Sequence, residues 1–449
     1  MLNLSEAATL VQGECRGEAL FLRVTTDTRQ LQPGDLFVAL RGERHDGHAY
    51  VAQARAAGAV AALVSEWVDV ELPQLRVSDT LSGLQALAAG WRARHQLPVV
   101  AVTGSNGKTT TKQMLAAVFA VRGEVLATRG NLNNHIGVPL TLLGLGEQHR
   151  TAVIEMGANH AGEIAALTAI ARPDVGVITQ AGDAHLEGFG SREGVARAKG
   201  ELFAGLRNGI AVINADDVYA PLWLQLAGQN SVIRFGCGVH ADVRAEQIET
   251  QALGTRFRLE TPSGAATVRL PLPGRHNVMN ALAAAGCGIA LGLDVQDIAA
   301  GLERVEGAQG RLSWKTTREG ARLLDDSYNA NPSSLRAGLE LLAGLPAPRW
   351  AVLGGMAELG PDAARLHREA GETAKRLGID RLYGLGPMAA EAVRGFGAGG
   401  ESFEDAAALV AALQSQLDAT VTLLVKGSRS ARMERVVAGL TGGTTGEAH

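Results

Sequence analysis

The run Val99-Val100-Ala101-Val102-Thr103-Gly104-Ser105-Asn106-Gly107-Lys108-Thr109-Thr110 constrains this chain more than any other stretch. Its unbroken apolar start, closed by a glycine turn, predicts a strand buried on both faces. Met114, Leu115, Val118 and Phe119 then recur at helical spacing and predict a helix. A buried strand feeding a helix through a tight turn belongs in a parallel sheet covered by helices. The turn also carries chemistry. Gly104 and Gly107 let backbone N–H groups close on phosphate oxygens at a helix N-terminus, where the dipole favours anions. Lys108 would reach the terminal phosphates and the Thr109 hydroxyl would take Mg²⁺. The spacing Gly-x-x-Gly-Lys-Thr is two residues shorter than the usual phosphate-loop pattern, so the strand before it and the helix after it carry the weight. A purely structural turn is the alternative.

With 449 residues there is room for about three domains. A content of 46% hydrophobic and 20% charged residues is that of a folded protein. The net charge of −4 argues against a dedicated nucleic-acid binder. Residues 1–10 lack a basic, apolar leader, and the longest apolar run, 56–64, is far short of the ~20 residues that span a bilayer. Three cysteines without zinc spacing or a CxxC pair point to a reducing, cytoplasmic setting.

Residues 1–80 mix short strands with helix, 81–310 repeat strand and helix around the phosphate turn, and 311–449 open a second, Rossmann-like series. Within the middle segment, residues 242–274 break the rhythm. Phe257 and Leu259, then Val268 and Leu270, alternate around Pro262-Ser263-Gly264 and predict a β-hairpin appended to the α/β core.

No Asn-Lys-x-Asp motif of a GTPase occurs. Glu155, near the end of the run Ala152–Met156, stands where a Mg²⁺ ligand belongs, or else is a solvated strand-end carboxylate. His185 lies in a glycine-rich loop and Lys199 follows on a predicted helix; taken alone they read as a loop histidine and a solvated helix face. Only six lysines stand among 42 basic residues, so each retained lysine is a candidate for a task arginine cannot perform.

The stretches Thr103–Thr110 (TGSNGKTT), Gly130–Pro139 (GNLNNHIGVP), Ala184–Ser191 (AHLEGFGS), His276–Asn280 (HNVMN) and Asp325–Pro332 (DDSYNANP) together resemble the Mur ligases of peptidoglycan synthesis. The resemblance implies three α/β domains: 1–80 binding a UDP substrate, 81–310 binding ATP through the phosphate loop, and a Rossmann-like 311–449. It implies ATP-dependent addition of D-alanyl-D-alanine to UDP-N-acetylmuramoyl-tripeptide through an acyl phosphate, by a cytoplasmic monomer. For the site it implies that Gly104, Ser105, Asn106, Gly107, Lys108, Thr109, Thr110, Asn280, Arg311, Asp326 and Asn329 bind ATP. Two Mg²⁺ ions would be held by Thr109, Glu155, His185 and a Lys199 carbamylated by CO₂. An ammonium cannot ligate Mg²⁺, whereas a carbamate is a hard oxygen donor. Lys108, His185 and Lys199 would be the catalytic set. Asp27, Thr28, Arg29, Asp46, Gly47 and His48 would meet the UDP substrate, and Lys426 and Arg429 its carboxylates. Read bare, the first-segment residues are polar turns and Lys426-Gly427-Ser428-Arg429 a solvated basic loop. Gly355 is a departure, since relatives commonly carry Asp there. Another Mur-type or folylpolyglutamate-synthase-like ligase, and a phosphate-loop ATPase without an acceptor, are the rival readings.

Overall fold

The computed structural model describes residues 2–43, 45–183, 186–251, 253–307 and 310–443. They form three main sheets, following one another along the chain, and a two-stranded pair, Leu2–Asn3 with Leu20–Phe21.

The first sheet runs Glu14–Arg16, Gln74–Arg76, Ala61–Val64, Asp35–Val38, Arg23–Thr25. All its pairings are parallel except that of the edge strand Glu14–Arg16. In the nine-stranded central sheet Val99–Thr103 lies between His149–Glu155 and Val175–Ile178, parallel to both. Being covered on both faces, it needs apolar side chains throughout, which is why its sequence does not alternate. The two faces feed different cores. Val99 and Ala101 join a cluster that runs without interruption into Leu36, Leu63 and Leu75 of the first sheet. Val100 and Val102 face the other way, onto Met114 and Leu115 of the phosphate-loop helix Lys108–Phe119 and onto Leu282 of helix Arg275–Ala290.

The expected hairpin is present as strands Gly254–Thr261 and Gly264–Leu270. A third strand, Val243–Gln251, pairs parallel to Ser231–Gly236 and antiparallel to Gly254–Thr261, so the meander extends the central sheet. A register shift between Glu246 and Glu249 interrupts the side-chain alternation of that strand and hid it in the sequence.

The third sheet runs Ser313–Thr316, Arg322–Asp326, Thr422–Lys426, Arg349–Gly354, Arg381–Leu385, Gly400–Phe403, parallel except for the first pairing. Its two apolar cores contain residues of this segment alone. On one face, helices Ala363–Arg376 and Pro387–Phe396 pack backbone to backbone: a Cβ added at Gly371 would sit 1.8 Å from the Ala392 carbonyl oxygen.

Glycine to alanine inside a helix ordinarily stabilises by up to ~1 kcal/mol through propensity. At Gly371 the collision is with backbone and outweighs that gain, because overpacking costs about 1–3 kcal/mol. Gly371→Ala should therefore lower the melting temperature, and differential scanning calorimetry reads the sign directly.

Candidate active site

The phosphate loop is wedged between two neighbours. A Cβ on Gly104, at φ +145°, would fall 2.0 Å from Thr179 Oγ1, and one on Gly107, at φ +81°, would fall 2.2 Å from Asn280 Oδ1. Both positions therefore need glycine for backbone conformation and for space. Thr179 Oγ1 donates to the Asn106 carbonyl at 2.6 Å, and the Ser105 hydroxyl and Gly182 N–H are hydrogen-bonded at 2.9 Å. These bonds fix the loop at the carboxyl ends of the parallel strands, where ligands of open α/β sheets bind.

Lys108 opens the helix and its Nζ donates to the Gly104 carbonyl at 2.7 Å. Burial lowers its pKa, with the Arg311 charge adding to the effect and Glu155 opposing it. Glu155, 2% exposed, ends the neighbouring strand, so the solvated strand-end reading is excluded. Asn133 Nδ2 donates to Glu155 Oε1 at 2.8 Å, and Lys112 Nζ lies 3.4 Å from Oε2. Burial pushes the carboxyl pKa up, but Lys112, Lys108 and the Asn133 bond outweigh it and leave it lowered. Its Oε2 accepts no hydrogen bond and thus has capacity for a cation.

Lys199 is not a solvated helix residue. On helix Arg192–Ala204 it is 1% exposed, donates to the Ala158 carbonyl at 3.3 Å and lies 5.3 Å from the centre of the Phe189 ring. Burial, reinforced by the Lys108 charge, pushes its pKa down to about 7. His185 lies outside the described residues.

A single cavity is lined by every expected ATP-binding residue except Gly104: Ser105 to Thr110 and Asn280 from the central sheet's segment, Arg311, Asp326 and Asn329 from the third. Lys426 lines it too, yet is no part of a solvated loop. It ends strand Thr422–Lys426, is 3% exposed, and donates to Asp326 Oδ2 at 2.5 Å and to the Asn329 carbonyl at 2.8 Å. Burial raises the Asp326 pKa even against that partner. His276, also on the cavity wall, is pushed down to about 4 by burial and the Lys426 charge, so it is a neutral imidazole near neutral pH. Arg311 stacks 4.3 Å from the Tyr328 ring centre, and Arg429 lies 5.8 Å from the same ring and 3.6 Å from Glu434.

The first-segment candidates do not reach this cavity. Asp27 caps the short helix Thr28–Gln30 and pairs with Arg29 at 2.8 Å. Asp46 accepts from the His48 backbone and lies 2.6 Å from its Nδ1; the backbone bond first, then the ring, lower its pKa to about 2. His48 Nε2 accepts from the Ser65 N–H at 2.8 Å, and a Cβ on Gly47 would meet the Ala39–Leu40 backbone at 2.7 Å. Two residues that sequence reasoning did not single out also belong to the site: Lys112, visible only through the scarcity of lysine, and Asn331, which lines the cavity from within the DDSYNANP stretch.

The model of the Mur ligase middle domain matches residues 102–288, that of the Mur ligase glutamate ligase domain residues 310–429, and that of the Mur ligase family catalytic domain residues 22–92. The chain is 47% identical to the UDP-N-acetylmuramoyl-tripeptide–D-alanyl-D-alanine ligase of Escherichia coli (strain K12), over 98% of each chain. Among solved structures it is similar to MurF from Acinetobacter baumannii, with TM-score 0.91, 38% identity and 97% of each chain covered. It is similar also to the MurF ligase from Thermotoga maritima in complex with ADP, with TM-score 0.83, 29% identity, and 94% of this chain and 97% of that one covered.

A lysine whose pKa falls on folding is stabilised by rising pH: between about 7 and its unfolded value near 10.4 the unfolded chain holds a proton the folded one lacks. Lys199→Met should therefore be more stable than the unmodified parent at pH 6–7, by something of the order of a few kcal/mol. The advantage should shrink steadily towards pH 10; urea unfolding across that range in CO₂-free buffer measures it.

Proposed function

The chain belongs to the Mur ligase family, and from that premise we propose that it joins D-alanyl-D-alanine to the peptide carboxylate of UDP-N-acetylmuramoyl-tripeptide, driven by ATP. The observation that carries the reading is the cavity in which a phosphate loop and the third segment's Arg311, Asp326 and Lys426 meet. Such an arrangement suits a nucleotide that must be enclosed while it reacts with a second substrate. The near full-length likeness to a ligase of that name supports the choice of substrates over a folylpolyglutamate-type ligase or an ATPase without an acceptor.

The substrate carboxylate attacks the γ-phosphorus of ATP and ADP leaves, giving an acyl phosphate. The dipeptide amine then adds to that carbonyl, loses a proton, and the tetrahedral intermediate expels phosphate. What this chain contributes is positioning and charge. The loop N–H groups and Lys108 would hold the phosphates, and Asn280, Arg311, Asp326 and Asn329 would enclose the rest of the nucleotide. Neutral His276 adds no charge to that wall. Asp27, Thr28, Arg29, Asp46, Gly47 and His48 would supply the UDP end from the first sheet, and Arg429 would meet a substrate carboxylate. Lys426 acts in this reading chiefly by neutralising Asp326. The three free cysteines fit a reducing compartment, and no described helix is long and apolar enough to cross a membrane.

The donor set fits Mg²⁺. Glu155 offers a buried oxygen without a hydrogen bond, and Mg²⁺ bound through phosphates needs few carboxylates. Thr109 and Glu155 would hold one ion, His185 and carbamylated Lys199 the other. When bound, Mg²⁺ would neutralise charge on the transferring phosphoryl group. Carbamylation requires the free amine: the Lys199 nitrogen forms a bond to CO₂ and releases a proton. A pKa near 7 makes that free amine abundant at neutral pH.

Phosphate release by the parent should require both UDP-tripeptide and D-alanyl-D-alanine. Lys108→Ala should cut it by roughly 10²–10³-fold or more with unchanged circular dichroism; release without either substrate would refute the ligase reading. Lys199→Ala should also lose activity and regain part of it with acetate or propionate, which can refill the vacated oxygen position. Lys199→Arg should stay inactive, since guanidinium forms no carbamate in this role; steady-state assays with and without added carboxylate separate the cases.

A further inference from the structure

Asn106 sits in the middle of the phosphate loop, yet its side chain is spent on the third segment. Its Oδ1 accepts from Asn331 Nδ2 at 2.7 Å, and its Nδ2 donates to Ser333 Oγ at 2.9 Å. Ser333 Oγ in turn donates to Asn331 Oδ1 at 3.0 Å, closing a ring of three side chains. One member belongs to the central sheet's loop and two to the first turn of helix Pro332–Ala343. Asn331 is 8% exposed and is also the N-cap of that helix, its Oδ1 accepting from the Ser334 N–H at 2.9 Å. The loop side is equally tied down, since the Asn106 carbonyl accepts from Thr179. Both ends of the ring are therefore rigid, and a rigid ring transmits displacement where a flexible one would absorb it.

We propose that Asn106, Asn331 and Ser333 form a clasp that couples the phosphate loop to the position of the third segment. The three act as positioning residues for the closed cavity rather than as contacts to the reacting atoms. The central and third sheets have separate apolar cores, so the junction between them depends on such polar links more than either interior does. The preformed loop presents Asn106, and the clasp then holds Arg311, Asp326 and Lys426 over the nucleotide. The inference rests on the cavity being a nucleotide site, but not on which acid and amine are joined.

The test measures closure without turnover. Small-angle X-ray scattering of the full chain would be recorded with and without a non-hydrolysable ATP analogue and Mg²⁺. Asn331→Ser keeps a competent helix cap but is too short to reach Asn106. Ser333→Ala removes the middle of the ring and leaves the cap. Both should shift the analogue-bound protein towards a larger radius of gyration, with the closed-to-open ratio falling roughly tenfold, as expected for losing hydrogen bonds at one junction. In turnover, kcat should fall with the closed fraction while KM for the UDP substrate is unchanged. Ser334→Ala, which breaks only the capping box, should lower the melting temperature and still close. Full closure by both clasp variants would overturn the proposal. So would equal opening by Ser334→Ala, because helix stability rather than the ring would then be responsible.

Discussion

Ammonium groups taken out of water around one loop are the constraint that the rest of this structure accommodates. Lys112, Lys199 and Lys426 are each 5% exposed or less, and Lys108 shares their surroundings at the helix start. Burying such charges costs several kcal/mol apiece unless each finds a partner or gives up its proton. The four cases are resolved differently. Lys426 is paired with Asp326, Lys112 faces Glu155, Lys108 donates to a loop carbonyl, and Lys199 moves towards the neutral amine. An anionic ligand with several phosphate charges would complete the balance in the cavity that Lys108 and Lys426 line from two different segments.

The glycine geometry serves the same end. Thr179 and Asn280 press so closely on the phosphate loop that a Cβ at Gly104 or Gly107 would fall 2.0 or 2.2 Å from them, so the loop backbone is packed in place. Preorganisation of this kind is what makes electrostatic stabilisation effective, because no reorganisation is needed at the moment of reaction.

Much of this could be read from the sequence because it is local. The strand Val99–Thr103, the glycine turn and the helix after it are neighbours in the chain, and of the six lysines that scarcity marked out, Lys112, Lys199 and Lys426 are buried while Lys375 is exposed. What escaped was non-local or irregular. Val243–Gln251 is a strand only because Ser231–Gly236 and Gly254–Thr261 flank it, and its register shift erases the alternation that betrays a strand. Lys426 read as a solvated basic loop because its partner Asp326 lies 100 residues away. Asn106 and Asn331 are 225 residues apart, and no spacing rule links them. The turn at Asp46–His48 looked the same as any polar turn, since only the fold reveals Ser65 at its far side.

One feature of the interior sets a length scale. The first and central sheets share an unbroken apolar cluster, while the third has cores of its own. Two sites anchored on a single continuous interior keep a constant separation. If the first sheet grips the uridine end of a substrate and the phosphate loop awaits its carboxylate, the distance between them behaves as a ruler. A peptide one residue too short cannot present its carboxylate to the loop, and one too long must buckle to do so. Selection by length would then arise from the shared core itself, without a dedicated pocket for every residue of the peptide.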